Sequence, residues 1–158
     1  METREIRIYV REFAKMEELD ENSQKLLMLA RQTASNAYAP YSGFKVGAAV
    51  EMANGELVAG SNQENMAYPS GLCAERVALF AAGSRFPDVP MKSIAVTAVN
   101  KDGKIPAIAA PCGACRQVML ESEVRAGQKI RIILDGQSIT VLEGVDSLLP
   151  FSFKQEYL

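Results

Sequence analysis

Apolar positions along the chain change period several times, and each change marks an element. Over residues 5–11 charged and apolar side chains alternate, with Ile6, Ile8 and Val10 on one side, which predicts a strand. From Ser23 onward Leu26, Leu27, Leu29, Ala30, Thr33, Ala34 and Ala37 recur at helical spacing until Pro40 stops the run, a helix of about fourteen residues. Residues 44–52 and 57–62 read as two strands joined by a turn at Asn54-Gly55, a strong hairpin signal. A loop through Tyr68-Pro69-Ser70-Gly71 leads to a helix over residues 73–84 and a strand over 93–100. After a loop over 101–110, a helix runs from Pro111 to near Glu123, and strands over 130–134 and 138–142 flank Asp135-Gly136. This order places helices against a mixed sheet, an α/β arrangement.

The chain has 158 residues, which at roughly 100 to 200 residues per domain leaves room for one core. Residues 17–21 are mostly acidic and read as solvated. The first 20 residues read as an N-terminal extension, an extra edge strand or a subunit contact, ahead of a single domain over 21–158. Seventeen Lys and Arg against nineteen Asp and Glu, with no basic block, argue against a nucleic-acid partner. No run approaches the ~20 apolar residues that span a bilayer, so no membrane association is expected. The N-terminus mixes charges with apolar residues and does not read as a signal peptide, which makes the cytoplasm the expected compartment.

Two counts narrow the chemistry. The three cysteines are an odd number, a poor match to a disulfide framework, and the absence of histidine excludes imidazole-based triads and His-ligated metals. All three cysteines lie in two short motifs, Cys73-Ala74-Glu75 and Pro111-Cys112-Gly113-Ala114-Cys115, and both open predicted helices. Thiols at helix N-termini ionise readily. Side by side, the two helices would aim three thiolates at one Zn²⁺ and leave a fourth position open, as catalytic zinc requires. Glu75 is offset from its neighbouring ligand, so it suits a proton carrier over the open position better than a ligand. Arg76 can return positive charge to the thiolates. Inert core cysteines and a redox dithiol are the competing readings of a bare C-x-x-C.

The C-A-E and P-C-x-x-C pair resembles the zinc deaminase signature in an all-cysteine version. The likeness extends through Tyr41-Ser42-Gly43-Phe44-Lys45-Val46-Gly47-Ala48-Ala49, Gly60-Ser61-Asn62-Gln63-Glu64-Asn65, Arg116-Gln117 and Leu148-Leu149-Pro150-Phe151-Ser152-Phe153. Over residues 23–153 the chain resembles the small, homotetrameric-type cytidine deaminases. That resemblance implies a three-layer α/β/α fold with a mixed sheet of about five strands and helices on both faces. It implies one Zn²⁺ per chain on Cys73, Cys112 and Cys115, with Glu75 moving protons while water replaces the amine of cytidine or 2'-deoxycytidine. It further implies that Asn62 and Glu64 hold the ribose, Phe44 packs near base or sugar, and Ala74 offers its N–H to the pyrimidine carbonyl. Phe153 would reach into a neighbouring subunit's pocket, giving a homotetramer with shared active sites. Deamination of another amino-heterocycle nucleoside such as blasticidin S, or a structural zinc module, are the rival functions. Gln63, Met66 and the ending over residues 154–158 depart from the family pattern.

Overall fold

The computed structural model describes residues 1–154 and is built on a six-stranded mixed sheet. The strands are β1 (Arg11–Phe13), β2 (Lys45–Met52), β3 (Leu57–Ser61), β4 (Met91–Val99), β5 (Arg131–Leu134) and β6 (Ile139–Glu143). The helices are α1 (Glu21–Ala34), α2 (Ala74–Arg85) and α3 (Gly113–Ala126). The sheet order is β1-β6-β5-β4-β2-β3; β4 and β5 run parallel, and the other neighbours pair antiparallel. Parallel neighbours need a crossover connection, and α3 supplies it.

Strand alternation feeds two cores, because successive side chains leave opposite faces of the sheet. Val50, Ile94, Val96 and Ile132 pack with Ala78 and Leu79 of α2 and Met119 of α3. Ala49, Ala95 and Ile133 point the other way, onto Leu26, Leu27 and Ala30 of α1. The result is the expected three-layer α/β/α arrangement, with six strands rather than about five. Gly47 sets the spacing of one layer: a Cβ there would lie 2.1 Å from the Ala30 carbonyl oxygen, so the α1 backbone rests directly on β2. α1 begins where Asp20 accepts a hydrogen bond from the Ser23 N–H at 3.0 Å, three residues ahead of Ser23, from which the sequence pattern starts the helix.

A fully buried carboxylate ties this layer to the site. Asp135, just after β5, accepts two hydrogen bonds from the Arg31 guanidinium, each 2.8 Å, and one from the Thr97 hydroxyl at 2.6 Å. Burial opposes ionisation of Asp135, but these donors outweigh it and hold its carboxyl below the usual range. Its backbone carbonyl accepts from the Ala109 N–H at 2.7 Å, fixing the loop that leads to Cys112.

Two local expectations are corrected. The alternating stretch over residues 5–11 forms strand only from Arg11, pairing Arg11 with Val141 and Phe13 with Ile139. In this register β6 ends at Glu143, opposite Tyr9, and Gly144 turns away with a φ of 90°, so the residues before Tyr9 run past their partner. Pro111 does not occupy the first helical position; Cys112 is the N-cap and Gly113 opens α3. Among the described residues no helix is long and apolar enough to cross a membrane.

Candidate metal centre and active site

Two helix starts converge on one point. Cys73 is the N-cap of α2 and Cys112 the N-cap of α3, while Cys115 lies in the first turn of α3. Neither cap makes a side-chain hydrogen bond to its helix, so both sulfurs are turned away from capping and toward each other. The Cys73 and Cys112 Sγ atoms are 4.0 Å apart, those of Cys112 and Cys115 3.4 Å, and all three lie within 4.8 Å of one another. A tetrahedral Zn²⁺ with Zn–S bonds of about 2.3 Å needs sulfurs about 3.8 Å apart, so the cluster fits zinc with a small adjustment. No disulfide links them; all three are free thiols.

Electrostatics favour the anionic state at Cys73. Hydrogen bonding from Cys115 outweighs burial and, with Arg76, pushes the Cys73 thiol down to about 5. The proton of that pair stays with Cys115, whose thiol is pushed up by the same hydrogen bond and by burial. The Arg76 Nη2 lies 3.9 Å from the Cys73 Sγ, and that contact holds the guanidinium's pKa above its ordinary value. Among the described residues its buried Nε has no hydrogen-bond partner, so the side chain serves the cluster as charge. Glu75, one position beyond the first residue of α2, is only 4% exposed. Burial and then the negative charge at Cys73 push its carboxyl above the usual range.

The cluster opens onto a cavity of about 740 Å³ lined by Phe44, Asn62, Glu64, Cys73, Glu75, Arg76 and Cys112. A structural zinc site would be closed; this one faces open space. Ala74 and Cys115 are buried beside the cavity. Asn62 and Glu64 are held by backbone on both sides. Tyr38 and Asn62 share a hydrogen bond at 3.0 Å, the Glu64 N–H donates to the Tyr38 carbonyl at 2.8 Å, and Gln63 and Leu72 exchange two at 2.9 Å. The Asn62 side chain accepts from the Val46 N–H at 2.7 Å and donates to the Phe44 carbonyl at 2.9 Å. Glu64 accepts from the Tyr41 and Ser42 N–H groups and the Ser42 hydroxyl, which together lower its pKa. Gln63, a departure from the family pattern, folds its amide back onto Ser61 at 3.2 Å.

Phe153 does not join its own chain's cavity. Its ring is exposed, and its carbonyl accepts from the Gln117 side chain at 3.0 Å. Met66 is exposed, and of the divergent ending, residues 155–158 lie outside the described residues. Sequence reading missed Tyr68, Leu72, Ile108 and Ala109 as cavity walls. Tyr68 meets Tyr41 edge to face at 6.2 Å, and Tyr41 stood in a recognised motif, so that rim was within reach of the sequence. Ile108 carried no such signal, because a bridge to Gly136 sets its position.

Three thiols at paired helix starts, facing an open cavity beside a buried carboxyl, suit a catalytic zinc centre that activates water for hydrolysis. The model of the cytidine and deoxycytidylate deaminase zinc-binding region matches residues 20–128, and the chain belongs to this family. It is 42% identical over 138 residues to the cytidine deaminase of Halalkalibacterium halodurans, covering 84% of this chain and 95% of that protein. Identity to a cytidine deaminase of Mycobacterium tuberculosis is 37% over 122 residues, covering 75% of this chain and 87% of that one. The crystal structure of cytidine deaminase from Burkholderia pseudomallei superposes with a TM-score of 0.70 at 38% identity, covering 82% of this chain and 97% of that chain.

Proposed function

We propose that this chain hydrolyses cytidine and 2'-deoxycytidine to the corresponding uridines and ammonia, with Glu75 carrying the protons. The observation that carries the division of roles is a nearly inaccessible carboxyl one residue into the helix that a ligand cysteine caps, at the floor of an open cavity. Zinc held by Cys73, Cys112 and Cys115 would supply Lewis acidity, making a water acidic enough to lose its proton near neutral pH. Glu75 takes that proton as the water oxygen bonds to C4 of the pyrimidine, and passes it to ring N3. It then moves a second proton from the new hydroxyl to the exocyclic nitrogen as the C4–N bond breaks and ammonia departs. Raised by burial, its carboxyl is suited to both taking and giving a proton.

The substrate contacts follow from unused hydrogen-bonding capacity. Ala74 is the first residue of α2, so its N–H has no intrahelical acceptor and can meet the pyrimidine carbonyl. Each carboxylate oxygen can accept about two hydrogen bonds; Glu64 Oε1 takes one from Ser42 and keeps room for a ribose hydroxyl. Asn62 uses one of its two amide hydrogens on Phe44 and has the other for the sugar. Phe44 supplies an apolar wall.

The assembly we propose is a homotetramer in which Phe153 of one chain closes the cavity of another. Phe44 and Tyr68 line that cavity and are exposed, and Phe151 and Phe153 are exposed near the C-terminal end. Three thiols gathered at one metal cluster support a reducing, cytoplasmic setting. A substrate panel with metal analysis tests the function. Cytidine and 2'-deoxycytidine should be deaminated by protein carrying one zinc per chain, with cytidine 5'-monophosphate and blasticidin S much poorer substrates. Preference for either of the latter, or full activity with zinc well below stoichiometric, overturns the reading.

A further inference from the structure

The segment before β1 is extended, exposed and outside the matched family region, which begins at residue 20. Ile6, Ile8 and Val10 are each about half exposed, and Ile6 and Ile8 lie on one edge of a cleft whose other wall includes Leu149 and Phe151. Among the described residues, no backbone hydrogen bond engages residues 5–9. An unpaired extended edge is a template for another strand, and its side chains decide which strand fits.

We infer that residues 4–12 pair antiparallel with the same segment of a second copy of this chain, with Ile8 on the twofold axis. In that register Ile6 lies opposite Val10, Glu5 opposite Arg11, Arg4 opposite Glu12 and Arg7 opposite Tyr9. Every charge except Arg7 meets its opposite, and Arg7 meets an aromatic ring. Neighbouring registers lack this match. Sliding by one residue sets Arg4 against Arg11 or Glu5 against Glu12, and sliding by two sets Arg7 against itself or against Arg11. A parallel in-register pair would stack every charge on its like. The antiparallel register also joins Ile6, Ile8 and Val10 of both copies into one apolar row beside Phe151, closed at each end by an Arg4–Glu12 pair. Such an isologous contact satisfies both copies at once. It concerns a segment that takes no part in the deaminase site, so it stands or falls apart from that function.

Cross-linking of the full-length, zinc-loaded protein tests the register. Directly opposed residues of antiparallel strands have Cα atoms about 4.5 to 5.5 Å apart, within disulfide span. Ile8→Cys should therefore oxidise to a covalent pair under mild conditions that leave the parent chain uncross-linked. Ile6→Cys should not, because its own copy lies four residues out of register, about 13 Å along the strand. The double variant Ile6→Cys/Val10→Cys should cross-link again. Within Ile8→Cys, adding Arg4→Glu should lower the yield, and Glu12→Arg on top should restore it. No cross-link at Ile8→Cys, or equal cross-linking at Ile6→Cys alone, overturns the inference. Deaminase activity of each reduced variant checks that the fold is intact.

Discussion

Replacing Glu75 by glutamine removes a proton carrier while keeping shape and hydrogen-bonding capacity. A single general acid–base group is worth roughly 10² to 10⁴ in rate, or about 2.7 to 5.5 kcal/mol of barrier. In the proposed reaction Glu75 acts in both halves, addition of water and departure of ammonia, so the loss should reach about 10⁴ or more. No neighbour can stand in. The other carboxylate lining the cavity, Glu64, is tied to the Tyr41 and Ser42 backbone N–H groups and the Ser42 hydroxyl. The fold should survive, since an amide in this 4%-exposed position carries no charge to desolvate, whereas the native carboxyl is penalised by burial. The assay is the absorbance change as cytidine becomes uridine, run beside zinc analysis and a thermal melt. A variant that keeps zinc and fold yet turns over within a few-fold of the parent would refute the assignment of Glu75.

Asp135→Ala should destabilise the protein by about 3 kcal/mol, the low end for breaking a buried pair, because the Arg31 side chain is 38% exposed and can hydrate. Because the folded-state pKa of Asp135 is depressed, its contribution is complete above the unfolded value of about 3.9 and disappears as pH falls through the lower folded value. The denaturation midpoint of the parent relative to Asp135→Asn should accordingly stay constant near neutrality and converge in acid; a constant gap throughout contradicts the assignment. Gly47→Ala should cost more than about 4 kcal/mol because its Cβ would meet the α1 backbone, whereas Gly83→Ala, within α2 and with its nearest neighbour 3.5 Å away, should gain roughly 0.5 to 1 kcal/mol. Thermal melts of the two variants should move in opposite directions. Phe153→Ala should leave a tetramer by light scattering but raise KM for cytidine roughly two- to tenfold, the value of an aromatic contact of about 0.5 to 1.5 kcal/mol; a stable, fully active monomer rejects the shared site.

The sequence by itself determined the element order, the two helix starts carrying thiols and the ligand set. Those rest on local rules: apolar period, turn residues and the placement of Cys73-Ala74-Glu75 and Pro111-Cys112-Gly113-Ala114-Cys115, each readable within a dozen residues. Tertiary structure decided whatever depends on distant partners. The alternation over residues 5–11 reads as a strand, yet only Arg11 of it pairs, and residues before Tyr9 have no partner because β6 stops at Glu143 and turns. Strand formation needs a neighbour to accept its backbone hydrogen bonds, and no local pattern encodes where that neighbour ends. In the same way, Asn62 and Glu64 are fixed by Tyr38, Phe44, Val46 and Leu72, and Ile108 reaches the cavity through Gly136 and the Asp135 carbonyl. These contacts join residues far apart in sequence; the chain supplies the groups, and only the packed layers bring them within hydrogen-bonding distance.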